Sequence, residues 1–172
     1  MEKIVVNDTN VFIDLIDAGL LDEFFRLPWE VHTTDSVMLE LKHEGEREAV
    51  EEYIRSGFLK VGNFSPEEVI KILDLLSSQR GKSNISFTDC SVWFYARTHK
   101  CSLLTGDWKL RKQAINDGID VHGIIYVFDK LVERAIIGAD IAVERLKILK
   151  SNNPRLPMNE INKRILEWSK LK

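Results

Sequence analysis

Two short runs constrain this chain more than anything else in it. Lys3-Ile4-Val5-Val6 is closed by Asn7-Asp8, and Ser102-Leu103-Leu104-Thr105 is closed by Gly106-Asp107. Each is too short for a helix and apolar at its centre, which reads as a strand buried on both faces. The apolar spacing between them is helical. Val11, Phe12, Leu15 and Ile16 share one stripe, Gly19 interrupts it, Leu20, Leu21, Phe24 and Phe25 resume it, and Pro28 stops it. A second strand is expected over Glu30–Thr33, helices over Thr34–Lys42 and Glu46–Ser56, and a short strand or extended connection over Phe58–Val61. Ser65-Pro66-Glu67-Glu68 is a helix start, with proline at the first helical position and acids in the first turn. Further helices are expected over Ser86–His99 and Trp108–Asn116, a last strand over Asp120–His122, and three closing helices over Ile124–Ile136, Asp140–Leu149 and Asn159–Leu171. Short strands alternating with helices imply an α/β fold, a parallel sheet with helices on both faces.

At 172 residues the chain is long enough for one domain that needs no disulfide or metal to fold. The Asn- and Pro-bearing stretch Ser151–Pro157 sets off the last helix, so residues 1–150 are expected as the main body and 151–172 as a linker and helix packed on it. No apolar run is long enough to span a bilayer, and acids as early as Glu2 and Asp8 do not suit a secretory signal. The expectation is a cytoplasmic protein. A formal charge of −3 excludes a basic nucleic-acid coat, so contact with nucleic acid must be a local patch. Cys90 and Cys101 lie among apolar residues and read as reduced core side chains. The histidines (His32, His43, His99, His122) are scattered and form no zinc pattern.

In an open parallel sheet, ligands bind at the carboxyl ends of the strands. There is no GxGxxG, no GxxxxGK[ST] and no GxSxG at those ends, which argues against a dinucleotide enzyme, a P-loop NTPase and an α/β-hydrolase. They carry acids instead, Asp8 and Asp107. Two further acids lie on helices: Asp89 on a segment that is apolar nearly all round, and Glu40 on the flank of the Val37/Leu41 stripe. Taken singly, each has a plain explanation. Asp8 and Asp107 are suited to cap helices, Ser86-x-x-Asp89 fits a capping box, and Glu40 suits a solvated face. Taken together, converging carboxylates repel by several kcal/mol at about 4 Å and stay ionised only beside a cation. Carboxylates without His or Cys select a hard divalent ion, Mg²⁺ or Mn²⁺, a device for phosphate-ester chemistry.

Four segments in order carry a resemblance: Ile4-Val5-Val6-Asn7-Asp8-Thr9-Asn10, Ser36-Val37-Met38-Leu39-Glu40-Leu41, Phe87-Thr88-Asp89-Cys90-Ser91 running to Ala96, and Leu103-Leu104-Thr105-Gly106-Asp107-Trp108-Lys109-Leu110 with Gly118 and Val121 behind it. In these the chain resembles the PIN-domain ribonucleases, as found in the VapC toxins of toxin–antitoxin pairs. The resemblance spans Ile4 to about Gly123. It implies a three-layer α/β/α sandwich with a central parallel sheet, here with a C-terminal helical extension. It implies that Asp8, Glu40, Asp89 and Asp107 gather around one or two Mg²⁺ or Mn²⁺ ions, with Asn10 and Thr105 as supporting polar residues. The activity implied is metal-dependent endonucleolytic cleavage of RNA, leaving a 3′-hydroxyl and a 5′-phosphate. Lys82, Lys109 and Arg111, with Arg80 and Lys112, are candidates to meet RNA phosphates. A cognate antitoxin and a second copy of the chain, as a dimer, are the protein partners implied.

The chain also departs from that family. Trp108 stands where many relatives carry a small or basic residue; it is expected to pack in the core, with a stacking platform for a base as the alternative. Glu44 is a rival to Glu40. The final helix places Ile161, Ile165 and Trp168 on one stripe, expected to pack on its own domain. Competing functions are a structure-specific DNA nuclease on the same fold, a non-catalytic PIN-like module that binds RNA or protein, and a receiver-type signalling domain with an acidic pocket.

Overall fold

The computed structural model describes residues 3–171 and is built around the central strand β1 (Lys3–Asn7), where Val5 and Val6 are wholly buried. The chain continues through α1 (Thr9–Asp17), α2 (Leu21–Phe25), β2 (Trp29–Thr34), α3 (Asp35–Glu40), α4 (Glu44–Arg55), β3 (Leu59–Gly62), α5 (Pro66–Ser78), α6 (Phe87–His99), β4 (Ser102–Leu104), α7 (Trp108–Asn116) and β5 (Val121–His122). Three helices follow: α8 (Ile124–Glu133), α9 (Ala139–Asn152) and α10 (Met158–Trp168). The strands form one five-stranded sheet in the order β3-β2-β1-β4-β5, every pairing parallel. Val5 sits beside Val31 on one side and Ser102 on the other.

This order dictates the layers. The chain steps from β1 outward to β2 and β3, then crosses to β4 on the far side of β1 and steps outward again to β5. Right-handed crossovers in opposite directions put the connecting helices on opposite faces. Accordingly α1 packs with α2, α3, α4, α8 and α9, while α6 covers β1, β2 and β4 and packs with α5 and α7. The fold is therefore the α/β sandwich with a central parallel sheet. The direction of winding reverses between β1 and β4, and the crevice at their carboxyl ends is where such a sheet receives a ligand.

One core runs through both layers and includes Phe12, Leu15, Leu103, Leu104, Phe128 and Leu146; a smaller one (Ile72, Ile85, Cys90, Phe94) lies under α5. Cys90 and Cys101 are free and buried. The last helix packs on α9, with Ile161 and Trp168 in the main core and Arg164 forking onto Asp129 at 2.6 and 2.9 Å. At the edge of the sheet Gly62 lets the Tyr95 ring approach so closely that any Cβ there would overlap it.

One boundary differs with a consequence for the site. The helix expected over Thr34–Lys42 stops at Glu40, because Leu41 leaves helical geometry (ψ 85°) to bury its side chain. A new helix begins at Glu44, so Glu44 is not one turn beyond Glu40 on a common helix.

Candidate functional site

The crevice between β1 and β4 is bordered by the starts of α1, α6 and α7 and the end of α3. Asp8 follows β1 in extended conformation and caps α1, its Oδ1 accepting the Thr9 N–H at 2.8 Å. Its Oδ2 accepts the Thr105 hydroxyl at 2.7 Å and the Asn10 amide at 3.1 Å. Thr105 in turn accepts the Asp107 N–H at 3.0 Å, and Asn10 accepts the Gly106 N–H at 2.8 Å. These bonds stitch the loop after β1 to the loop after β4 across the reversal of the sheet.

The other acids are each held by a helix end. Asp107 caps α7, its Oδ1 accepting from the Lys109 and Leu110 N–H groups. Asp89 closes a capping box with Ser86 at the start of α6. Glu40, exposed at the end of α3, accepts the Thr9 hydroxyl at 2.8 Å. Capping and clustering are therefore compatible duties. Among the described residues Asp89 Oδ1, Asp107 Oδ2 and Glu40 Oε1 accept no hydrogen bond.

The acids feel one another. Asp8 is only 3% exposed. Burial first, then the charge of Asp89, push its carboxyl from 3.8 to about 7; the Thr105 and Thr9 bonds hold it down in part, and Glu40 adds a smaller push upward. Asp89 is raised as well, chiefly by burial and also by Asp107 and Glu40, against the lowering effect of its Ser86 bonds. So the structure brings Asp8, Glu40, Asp89 and Asp107 within electrostatic reach. It also places Asn10 and Thr105 directly on Asp8. Glu44 is exposed at the start of α4 and makes no bond to this group.

As a donor set the four acids fit a hard divalent cation: all oxygen, no sulfur or imidazole, and net negative charge in a partly buried crevice. Their present placement is looser than a coordination shell. Among the described residues no three His, Cys, Asp or Glu side chains are grouped tightly enough to hold a metal ion.

The basic candidates lie on the segments that lead into α6 and run along α7. Lys82 is exposed in the loop that leads into α6, and Lys109 is exposed in the first turn of α7. Arg111 is half-buried and leans toward Gly123 and His122. Trp108 corrects the sequence expectation of core packing: its side chain is 66% exposed. As the first residue of α7, directly after Asp107, it lies on the rim, and the stripe that α7 buries runs through Leu110 and Ala114 instead. Sequence reasoning missed Thr9, whose hydroxyl ties α1 to Glu40; its place directly after Asp8 was the available signal.

A family model, DUF3368, described as a PIN domain, matches residues 4–170. The fold is similar to a chain in the crystal structure of VapBC2 from Rickettsia felis bound to a DNA fragment from their promoter, with 18% identity, a TM-score of 0.51, and coverage of 70% of this chain and 98% of that one. A domain of a functionally unknown protein from Methanocaldococcus jannaschii is similar at 21% identity and a TM-score of 0.46, covering 70% of this chain and 90% of that one. No curated protein matches. Among the described residues no helix is long and apolar enough to cross a membrane.

Proposed function

The chain belongs to the PIN-domain family, and from that premise we propose that it is an Mg²⁺- or Mn²⁺-dependent endoribonuclease that hydrolyses RNA phosphodiester bonds, acting as the toxin of a type II toxin–antitoxin pair in the cytoplasm. The observation that carries this reading is Asp8. An acid buried at the switch point of a parallel sheet, with Asp89 raising its pKa further, is tolerable as an anion only beside a cation. Asp8, Asp89 and Asp107 would hold the principal ion. Glu40 would hold a second ion or orient the attacking water. A divalent ion bound there supplies Lewis acidity and offsets charge on the leaving oxygen. The chain's own residues do the rest. Thr105 and Asn10 fix the Asp8 carboxylate in orientation, and Lys82, Lys109 and Arg111 meet phosphates along the strand. A cognate antitoxin and a second copy of the chain are the protein partners in this proposal.

The test is incubation of the purified chain with single-stranded RNA in Mg²⁺ or Mn²⁺, and again with a chelator. Cleavage is expected with either ion, leaving 5′-phosphate and 3′-hydroxyl ends, and none with the chelator. Intact RNA in every condition would overturn the proposal. It would favour a non-catalytic PIN-like module that binds RNA or protein.

Thr105→Val removes the hydroxyl that links Asp8 to the Asp107 N–H while keeping the β-branched shape. Residues that orient a metal ligand are typically worth about 10- to 100-fold in activity or metal affinity. A loss of that size in initial rate at limiting Mn²⁺ is expected, and a variant indistinguishable from wild type would remove Thr105 from the site.

A further inference from the structure

Three of the four tryptophans are buried or half-buried (Trp29, Trp93, Trp168); Trp108 alone is largely open to solvent, on the rim beside Asp107. Its surroundings are not those of a stray apolar side chain. On α7, Trp108, Arg111, Lys112 and Ile115 recur at the spacing of one helix face, and Ile115 is itself 50% exposed. The Lys112 ammonium lies over the Trp108 ring, 5.5 Å from its centroid. Neither Lys109 nor Lys112 has a carboxylate partner among the described residues. The helix carries three basic residues and no acid, in a chain whose net charge is −3.

An aromatic ring among unpaired cations matches a ligand that is both flat and anionic. Resting on the nuclease reading above, we infer that Trp108 is a stacking platform for an unpaired base of the RNA, next to the phosphate that the acids address, and that the α7 face steers the enzyme to single-stranded substrate. A duplex keeps its bases inside the helix and offers nothing to stack, whereas a single strand presents base faces with its phosphates alongside. The charge around the ring favours this occupant over an apolar protein surface. The exposed apolar residues of α5, Ile70 and Leu73, share their helix instead with the acids Glu67, Glu68 and Asp74.

The test compares wild type, Trp108→Phe and Trp108→Ala. Affinity for an end-labelled single-stranded RNA is measured by anisotropy in a chelating buffer, where nothing is cut, and again for the same RNA as a duplex. Losing one stacked base corresponds to a loss of about 5- to 150-fold. That loss is expected for Trp108→Ala on the single strand, with Trp108→Phe retaining most of the affinity and the duplex unchanged. In Mg²⁺ the Trp108→Ala variant should raise KM and leave kcat nearly intact, as for a contact made equally in ground and transition states. Wild-type affinity in Trp108→Ala would overturn the inference, as would an equal loss on both RNAs or an absence of wild-type binding. An unchanged RNA affinity with an altered oligomeric state in gel filtration would reassign the ring to a protein interface. If no RNA is cut but the selective loss of binding stands, the nuclease reading fails and the stacking role survives.

Discussion

Asp8→Asn is expected to lower RNA cleavage by about 1,000-fold or more at saturating Mg²⁺. Offsetting transition-state charge through a divalent ion is worth several kcal/mol, and each 1.36 kcal/mol is tenfold in rate. The substitution is close to isosteric. Its amide oxygen can still accept the Thr9 N–H that starts α1, so the fold should persist. What disappears is the negative charge at the junction of the two loops. Single-turnover cleavage, with circular dichroism as the control for folding, decides it. A correctly folded Asp8→Asn chain that cuts at the wild-type rate would exclude Asp8 from cation binding.

The same buried carboxylate should make the metal-free protein less stable as pH rises. In the unfolded chain Asp8 ionises near 3.8, in the native state near 7. Between those values the native state holds a proton that the unfolded state has released, so stability falls with increasing pH across that window. A rise of this size corresponds to about 4 kcal/mol, absent below pH 4 and fully felt above pH 7. Asp14 adds to the trend. Buried on α1 and bonded by the Asn153 amide at 2.9 Å, it is raised to about 6, chiefly by its burial. Urea unfolding at pH 5 and pH 8 with a chelator present should show the loss, and Mg²⁺ should reduce it. Asp8→Asn should raise the melting temperature more at pH 8 than at pH 5, where the wild-type penalty has built up only in part. The gain falls short of the full 4 kcal/mol, since the new amide nitrogen must face the Thr105 hydroxyl or the Asn10 amide, both donors to the carboxylate it replaces. Equal gains at both pH values would mean that the Asp8 charge is not the cause.

Much of this architecture is legible in residue order. The runs at Ile4-Val5-Val6 and Ser102-Leu103-Leu104 read as buried strands, and the loops that close them came to lie side by side once the strands became neighbours. Tertiary preferences hid the rest. Leu41 continued a helical pattern but gained more by burial than by another helical turn, which ended α3 early. Trp108 looked like core because large aromatic side chains usually are, yet its neighbour Leu110 took the inward position on α7. Asp14 reads as the polar face of an amphipathic helix, and only the return of Asn153 from α9 gives it a partner in the interior. The bond from the His32 ring to the Tyr95 hydroxyl at 2.7 Å crosses from a strand to a helix, a pairing that no periodicity announces.

Asp8 and Asp107 each cap a helix, and Asp89 closes the capping box of another, as well as contributing charge to the crevice. Truncating such an acid therefore has two effects at once inside a cell. Loss of a helix cap costs about 1 kcal/mol, and a deficit of 1 to 2 kcal/mol can change the steady-state amount of a protein several-fold through quality control and proteolysis. An alanine allele at Asp107 would thus alter dosage along with chemistry, and a growth phenotype would report their product. Asparagine, which keeps the capping acceptor, separates the two, so genetic work on this chain should read protein level beside every phenotype.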